Sequence, residues 1–439
     1  METSTTTEGN SSSGNRRLAA VQEMAAFQRI LFEVEREFVR TATTLIYRVG
    51  DIELKYLLCQ HVWESAGHAR FLRERGREMN GFGKGDAVRD SFRNIFEEAI
   101  VSEDPSASLR GFYRVLKPAI LEAYQQYLEL THHLADWPSR HLVEEFIQDE
   151  QRHASEMEVY LGKAEVGSLE VRLEAALAAL GGWFGKHEQV ALPDGFEWLH
   201  HSQSFEHPTI CNRGDFPICS SVFSHDPDET PIVRQWLEDP ETDARVIRLM
   251  VYVWLMMELD AVDYLATVFY DTPNAPFDLH FDLARHLWDE SRHSAFGYKQ
   301  LPKLGVDLST LEHSLDLYNI LVQMTPPERY AMMTMEFEAG SFPTKALVMD
   351  RVRELNDFEA DTLLAFDRND EQNHVRYGHQ WLPEIMKLFD EQRPVDEFVE
   401  ATKKRFEELA EEFGGRVPHS LPPETRLTGN KILEIAGVA

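Results

Sequence analysis

Cysteine is scarce in this chain: Cys59, Cys211 and Cys219 are the three in 439 residues, and no Cys-x-x-Cys pair occurs. That argues against a disulfide framework and against a thiolate zinc site, and it fits a reducing cytoplasm. Basic residues are few as well, 44 Lys and Arg against 75 Asp and Glu, for a net charge of −31. Nucleic acid and anionic membrane surfaces need a concentrated basic face, so neither is an expected partner. Long apolar runs are missing too. The most apolar stretch, Val246 to Tyr270, is interrupted by Arg248, Glu258, Asp260 and Asp263, which suits a buried helix rather than a membrane span. Residues 1–18 are rich in Ser, Thr, Gly and Asn with no apolar core. They read as a disordered tail, not a signal peptide.

What is present is helical periodicity and acid. Helices are expected over Ala19–Tyr47, from there to about Arg75, and over Ser91–Ser102, Leu109–Leu134, a segment opened by Pro138, and 168–180, ended by Gly181-Gly182. Between Lys186 and Glu241 periodicity fades, and Pro193, Pro208, Pro217, Pro227, Pro231 and Pro240 break the chain. The His and Cys residues there (His200, His201, His207, Cys211, Cys219, His225) match no common zinc spacing. Helices resume over Arg245–Tyr270, Phe277–Leu301, Pro326 to about Leu355 with a bend at Pro343, and Asp357–Phe389. A charged helix from near Val395 stops before Gly414 and Pro418. The fold class is therefore all-α. The expected organisation is a tail (1–18), a first bundle (19–182), an irregular connector (183–244), a second bundle (245–390), and a C-terminal helix and tail (391–439).

One pattern occurs three times: Asp149-Glu150-Gln151-Arg152-His153, Asp289-Glu290-Ser291-Arg292-His293 and Asp370-Glu371-Gln372-Asn373-His374. On a helix, residues i and i+3 share a face, so each pattern aims a carboxylate and an imidazole at one point. Two such turns plus a Glu from each of two further helices form the shell that holds a metal pair in a four-helix bundle. Bare Glu-x-x-His pairs also occur at Glu129…His132 and Glu197…His200, and these are assigned to chance.

The second half offers the whole set. Glu258 is in phase with Val251, Trp254, Ala261 and Leu265 on the apolar face, where an unpaired charge is costly. Glu290 and His293 follow on the next helix, and Glu371 and His374 on the fourth. The third helix contributes Glu338, in phase with Ala331, Phe342 and Met349, with Glu336 as the alternative. Asp289 and Asp370 are expected to accept the ring N–H of the ligand histidines, and Arg292 to pair with such a carboxylate. The halves look duplicated. Trp63-Glu64-Ser65 resembles Trp288-Asp289-Glu290-Ser291 and aligns Glu64 with Glu290 at an offset of 226. Glu37 aligns with Glu258, and Glu150 with Glu371. A first-half set would be Glu37 (or Glu33), Glu64, His68, Glu122, Glu150 and His153. Gly67 stands where that alignment needs a histidine, so a degenerate, mainly structural site is expected.

The ordered set Glu, Asp-Glu-Ser-Arg-His, Glu, Asp-Glu-Gln-Asn-His resembles the ferritin-like di-iron carboxylate superfamily, closely over roughly 245–390 and loosely over 19–165. Asn373 departs from the usual Arg. The resemblance implies two ferritin-like four-helix bundles in tandem. It also implies two Fe ions, or a Mn/Fe pair, with dioxygen as co-substrate, and a non-haem oxygenase or oxidase acting on a small organic molecule. An external electron donor and a homodimer are compatible with it. The alternatives are a ferroxidase, iron-storage or peroxide-detoxifying protein, and a non-enzymatic interaction protein with a vestigial metal site.

Overall fold

The structure, a computed structural model, describes residues 19–82, 85–163, 165–203, 205–216, 218–219, 236–311, 313–412 and 437. The expectations for residues 1–18, Pro217, His225, Pro227, Pro231, Gly414 and the C-terminal tail fall outside these. The described chain is all-helical. Its one extended pairing is a two-residue parallel match of Ile218–Cys219 with His313–Ser314. Among the described residues, no helix is long and apolar enough to cross a membrane.

In the first half, α1 (Val21–Ile46) and α2 (Ile52–Glu78) form a close pair, and Asp51 caps α2 by accepting from the Leu54 N–H. Helix α3 (Asp90–Ile100) comes next. The third long helix is built in three parts: α4 (Pro105–Arg110), a π-helical stretch Gly111–Leu116, and α5 (Lys117–Leu130). Helix α6 (Trp137–Leu161) carries Glu150 and His153 and has Pro in its first turn, and α7 (Ser168–Leu180) ends on Gly181 at φ 74°.

The second half repeats this plan. Helices α8 (Ala244–Met257) and α9 (Leu259–Tyr270) replace the single helix expected there, because the chain tightens at Glu258 (φ −64°, ψ −7°). Helix α10 (Phe277–Gln300) is followed by the short α11 (Asp316–Leu321). The third long helix again has three parts, α12 (Pro326–Ala331), a π stretch Met332–Phe337 and α13 (Glu338–Glu354). Pro343 sits inside α13, so the irregularity lies a turn or more before it rather than at the proline. Helices α14 (Phe358–Leu388) and α15 (Val395–Glu412) complete the chain. A π turn inserts a residue into the helical ladder and rotates the side chains beyond it to a new direction. Both π stretches occupy the same place in their half, and each is followed at once by a charged residue of the buried cluster, Lys117 or Glu338.

The two halves share a core. Helix α1 packs on α9 and α2 on α10, with Phe32 edge-on to Phe277 and buried Tyr56 hydrogen-bonded to Ser294. Lys55 and Arg213 converge on the buried Asp263, and His207 links Tyr47 to Asp271, so the connector ties both halves together. One contact sets the position of Glu258 directly. A Cβ at Gly297 would lie 2.1 Å from the Tyr252 carbonyl oxygen and 2.5 Å from the Met256 nitrogen. Only glycine lets α10 approach α8 this closely.

Candidate metal centre

Four helices of the second half deliver eight donor side chains to one buried place, in two groups. The first is His286, Glu290, Glu338 and His374; the second is Glu258, His293, Asp367 and Glu371. In the first group His286 Nε2 lies 2.6 Å from Glu338 Oε1, and His374 Nδ1 lies 3.2 Å from Glu290 and 3.3 Å from Glu338. The His286 and His374 rings stack at 3.7 Å. In the second group His293 Nδ1 lies 3.2 Å from Glu258 and 3.3 Å from Asp367. Glu290 Oε1 is 3.9 Å from His293 Nδ1 as well, and so faces both groups.

All six residues expected from the sequence are thus brought together. Glu338 belongs to the cluster and Glu336 does not; its carboxylate pairs with Lys403 on α15 at 3.0 Å. The sequence reading missed His286 and Asp367. Each lies four residues before the Glu of its motif, one further turn along the same helical face. Extending the motif backwards to His-x-x-x-Glu-x-x-His and Asp-x-x-x-Glu-x-x-His would have found both.

A layer of acid and guanidinium holds the histidines. Asp370 accepts from His293 Nε2 at 3.4 Å, and Asp289 from His374 Nε2 at 3.3 Å, so each aspartate braces the imidazole of the opposite helix. That leaves both Nδ1 atoms facing the cluster. Arg292 bridges the two aspartates, and Arg285, unmarked in the sequence reading, pairs with Asp289 at 2.7 Å. Among the tyrosines, Tyr264 donates to Met333 Sδ and Tyr377 lies beside His374. Met332 and Met333 are buried, while Phe337 turns away to pack on Phe406.

The electrostatics are unbalanced. Five carboxylates (Glu258, Glu290, Glu338, Asp367 and Glu371) crowd together, and among the described residues Lys345 is the one ammonium ion-paired to them. Burial, with repulsion from Glu338, Glu290 and Asp367, holds the Glu371 carboxyl well above the usual range despite Lys345. Burial likewise pushes Asp367 up to about 6. Glu338 goes the other way: burial opposes its ionisation, but the His286 and His374 imidazoles bring it down to about 2. Glu258 Oε2, Glu290 Oε1, Glu338 Oε2, Asp367 Oδ2, Glu371 Oε2 and the Nδ1 atoms of His293 and His374 are buried with no hydrogen bond of good geometry. Such atoms are expensive unless they meet cations. Mixed carboxylate and imidazole donors suit iron or manganese, which these residues fit.

The first-half cluster is built differently. Arg152 pairs with Glu64 and Asp149 just as Arg292 pairs with Asp289 and Asp370, and His61 stacks on His153 at 3.8 Å as His286 does on His374. These contacts correct the alignment. The offset along the second helix of each half is 225, matching Trp63 with Trp288, Glu64 with Asp289, Ser65 with Glu290 and His68 with His293. At this offset His68, not Gly67, stands at the ligand position, so His68 is in register. What is lost is acid. Ser65 stands for Glu290, Lys117 for Glu338, Phe146 for Asp367, and Tyr124 for Lys345. Glu35, not Glu37, faces His68, at 3.5 Å. Glu37 pairs with Arg40, Glu33 with Arg29 and Arg89, and Glu122 is exposed beside His187. Glu64 bonds His153 at 2.6 Å from outside the cluster.

Glu35, His68 and Glu150 still converge, but Lys117 Nζ sits 2.5 Å from Glu150 and 3.0 Å from Ser65, and Tyr124 donates to Glu35 at 2.6 Å. Burial opposes protonation of His68, yet hydrogen bonds to Asp149 and Glu35 raise it to about 9. The native state therefore holds a proton that the unfolded chain releases near pH 6.5. This stabilisation is complete below about pH 6.5 and is lost as pH rises toward 9, with an upper size of about 3 kcal/mol. Denaturation midpoints of chelator-treated protein should fall over that window in the wild type, and the fall should be shallower in His68→Gln. Parallel profiles would remove this role for His68.

Residues 237–417 match the model of a family described as "Protein of unknown function (DUF455)". The match spans all eight second-half donors and Lys345. No curated protein and no solved structure matches the chain.

Proposed function

We propose that the chain is a ferritin-like dimetal oxidoreductase, built as two four-helix bundles in tandem, that activates dioxygen to oxidise a small organic substrate. The observation that carries this reading is the convergence, from the helices of one half, of three imidazoles and five carboxylates, four of them buried and Glu258 half-buried, with one oxygen of each carboxylate and Nδ1 of His293 and His374 left without a hydrogen bond. An arrangement so rich in acid costs stability in the folded protein and is explained by cations that bind there. A pair of redox-active metals would supply electrons to dioxygen at this place.

The chain's own residues would prepare that chemistry. Asp289 and Asp370 fix the tautomer and aim of His374 and His293. Arg285 and Arg292 keep those aspartates ionised; both carboxyls lie below the usual range, with hydrogen bonds from the histidines and arginines outweighing burial. Buried Tyr264 lies within electrostatic reach of Glu338, Glu290 and Glu371 and donates to Met333 Sδ.

Iron-loaded, reduced protein should consume dioxygen stoichiometrically and develop a near-ultraviolet absorption band. If fully loaded ferrous protein stays inert to oxygen across amine, alkyl and aromatic substrates, the oxidoreductase reading fails. Iron uptake far beyond two per chain would favour storage instead.

A further inference from the structure

The two halves of the dimetal cluster are not equivalent. Among the described residues, no lysine or arginine is ion-paired with Glu290 or Glu338. The other group already holds a cation. Lys345 Nζ lies 2.6 Å from Asp367 Oδ1, 2.6 Å from Glu371 Oε1 and 3.5 Å from Glu258 Oε1. An ammonium surrounded by oxygens of three carboxylates, two from α14 and one from the α8–α9 junction, stands where a metal bound by the same oxygens would stand. The two cannot share it. Lys345 reaches this point from α13, two helical turns beyond Glu338 and on the same face. Its side chain is buried, and its ammonium lies 5.9 Å from the centre of the Trp254 ring. The ring face offers a displaced ammonium a second perch. The corresponding first-half residue, Tyr124, holds Glu35 with a neutral hydroxyl, so a cation at this position is particular to the acid-rich half.

We propose that Lys345 is a resident counter-cation that makes metal loading sequential. The first ion enters among His286, Glu290, Glu338 and His374. The second enters among Glu258, His293, Asp367 and Glu371 only by displacing the Lys345 ammonium. Lys345 is thus a positioning residue that sets the gap between the two affinities and holds the cluster together before metal arrives. This rests on the dimetal reading above and deepens it.

Anaerobic titration with Mn(II), followed by electron paramagnetic resonance, tests the inference without any turnover. Wild-type protein should show isolated bound Mn(II) at one equivalent. The signal of a spin-coupled pair should appear only at about tenfold or more higher free Mn(II). In Lys345→Met the second ion should bind about tenfold or more tighter, so that coupled pairs form at stoichiometric metal. Lys345→Arg, which keeps the cation, should not gain this. Should K345M fail to fold without metal, recovery of folded, paired-Mn protein on refolding with Mn(II) gives the same answer. Equal affinities in the wild type, or a second ion that binds no tighter or more weakly in K345M, would overturn the inference while leaving the dimetal centre standing. Absence of bound Mn(II) from both proteins would overturn the centre itself.

Discussion

Glu290→Ala should purify with almost no metal, yet with unchanged helical content. Glu290 Oε1 lies 3.2 Å from His374 Nδ1 and 3.9 Å from His293 Nδ1, so its carboxylate is the one that faces an imidazole from each group. Losing it removes a donor common to both positions. Metal content measured on protein from iron-supplemented cells should drop from about two ions per chain to a trace, because a missing shared donor weakens both sites at once. The same substitution relieves crowding among buried carboxylates. Metal-free Glu290→Ala should therefore be as stable as the metal-free wild type, or more stable by about 1–3 kcal/mol in chemical denaturation. Unchanged metal content, or a large loss of stability in the metal-free state, would contradict the assignment.

Two histidines at equivalent places should behave oppositely. His374→Ala removes a ring whose Nδ1 faces Glu290 and Glu338 and whose Nε2 is braced by Asp289. Metal binding at the first position and oxygen consumption should fall by about 100-fold or more, as expected for a direct ligand. His153→Ala removes a ring bonded to Glu64, in a cluster where Lys117 already supplies the cation. Its oxygen consumption should stay within about twofold of the wild type, with at most a modest cost in stability from the lost ring stacking on His61. Equal loss of activity in both variants, once folding is shown to be intact, would mean that the first half takes part in the chemistry.

The helices were readable because apolar phase and punctuation agree locally: Asp51 before α2, Pro138 within the first turn of α6, Gly181 after α7. The Asp-Glu-x-x-His repeats were readable for the same reason, since i and i+3 share a face wherever the helix sits. Other features were not. The break at Glu258 and the two π stretches depend on how helices meet, and no residue in Met332–Phe337 announces a π turn. Choosing Glu35 over Glu37 required knowing which face of α1 turns inward, and α1 is buried almost all round, with Arg40 neutralising Glu37. The register of α2 was misread because Glu64 resembles a ligand in sequence. Its contacts with Arg152 and His153 show that it does the work of Asp289. Lys117 and Lys345 escaped notice because a buried lysine leaves no periodic signature; only the carboxylates around it reveal its purpose.

We propose that cations belong in the second half and that Lys117 makes them unnecessary in the first. Anomalous diffraction from crystals of the full chain grown with Mn(II) or Fe(II) tests it most directly. The expected map has two peaks, one among His286, Glu290, Glu338 and His374 and one among Glu258, His293, Asp367 and Glu371, with none beside Glu35, His68 and Glu150. A peak at the first-half cluster, or none in the second half at saturating metal, would contradict the account.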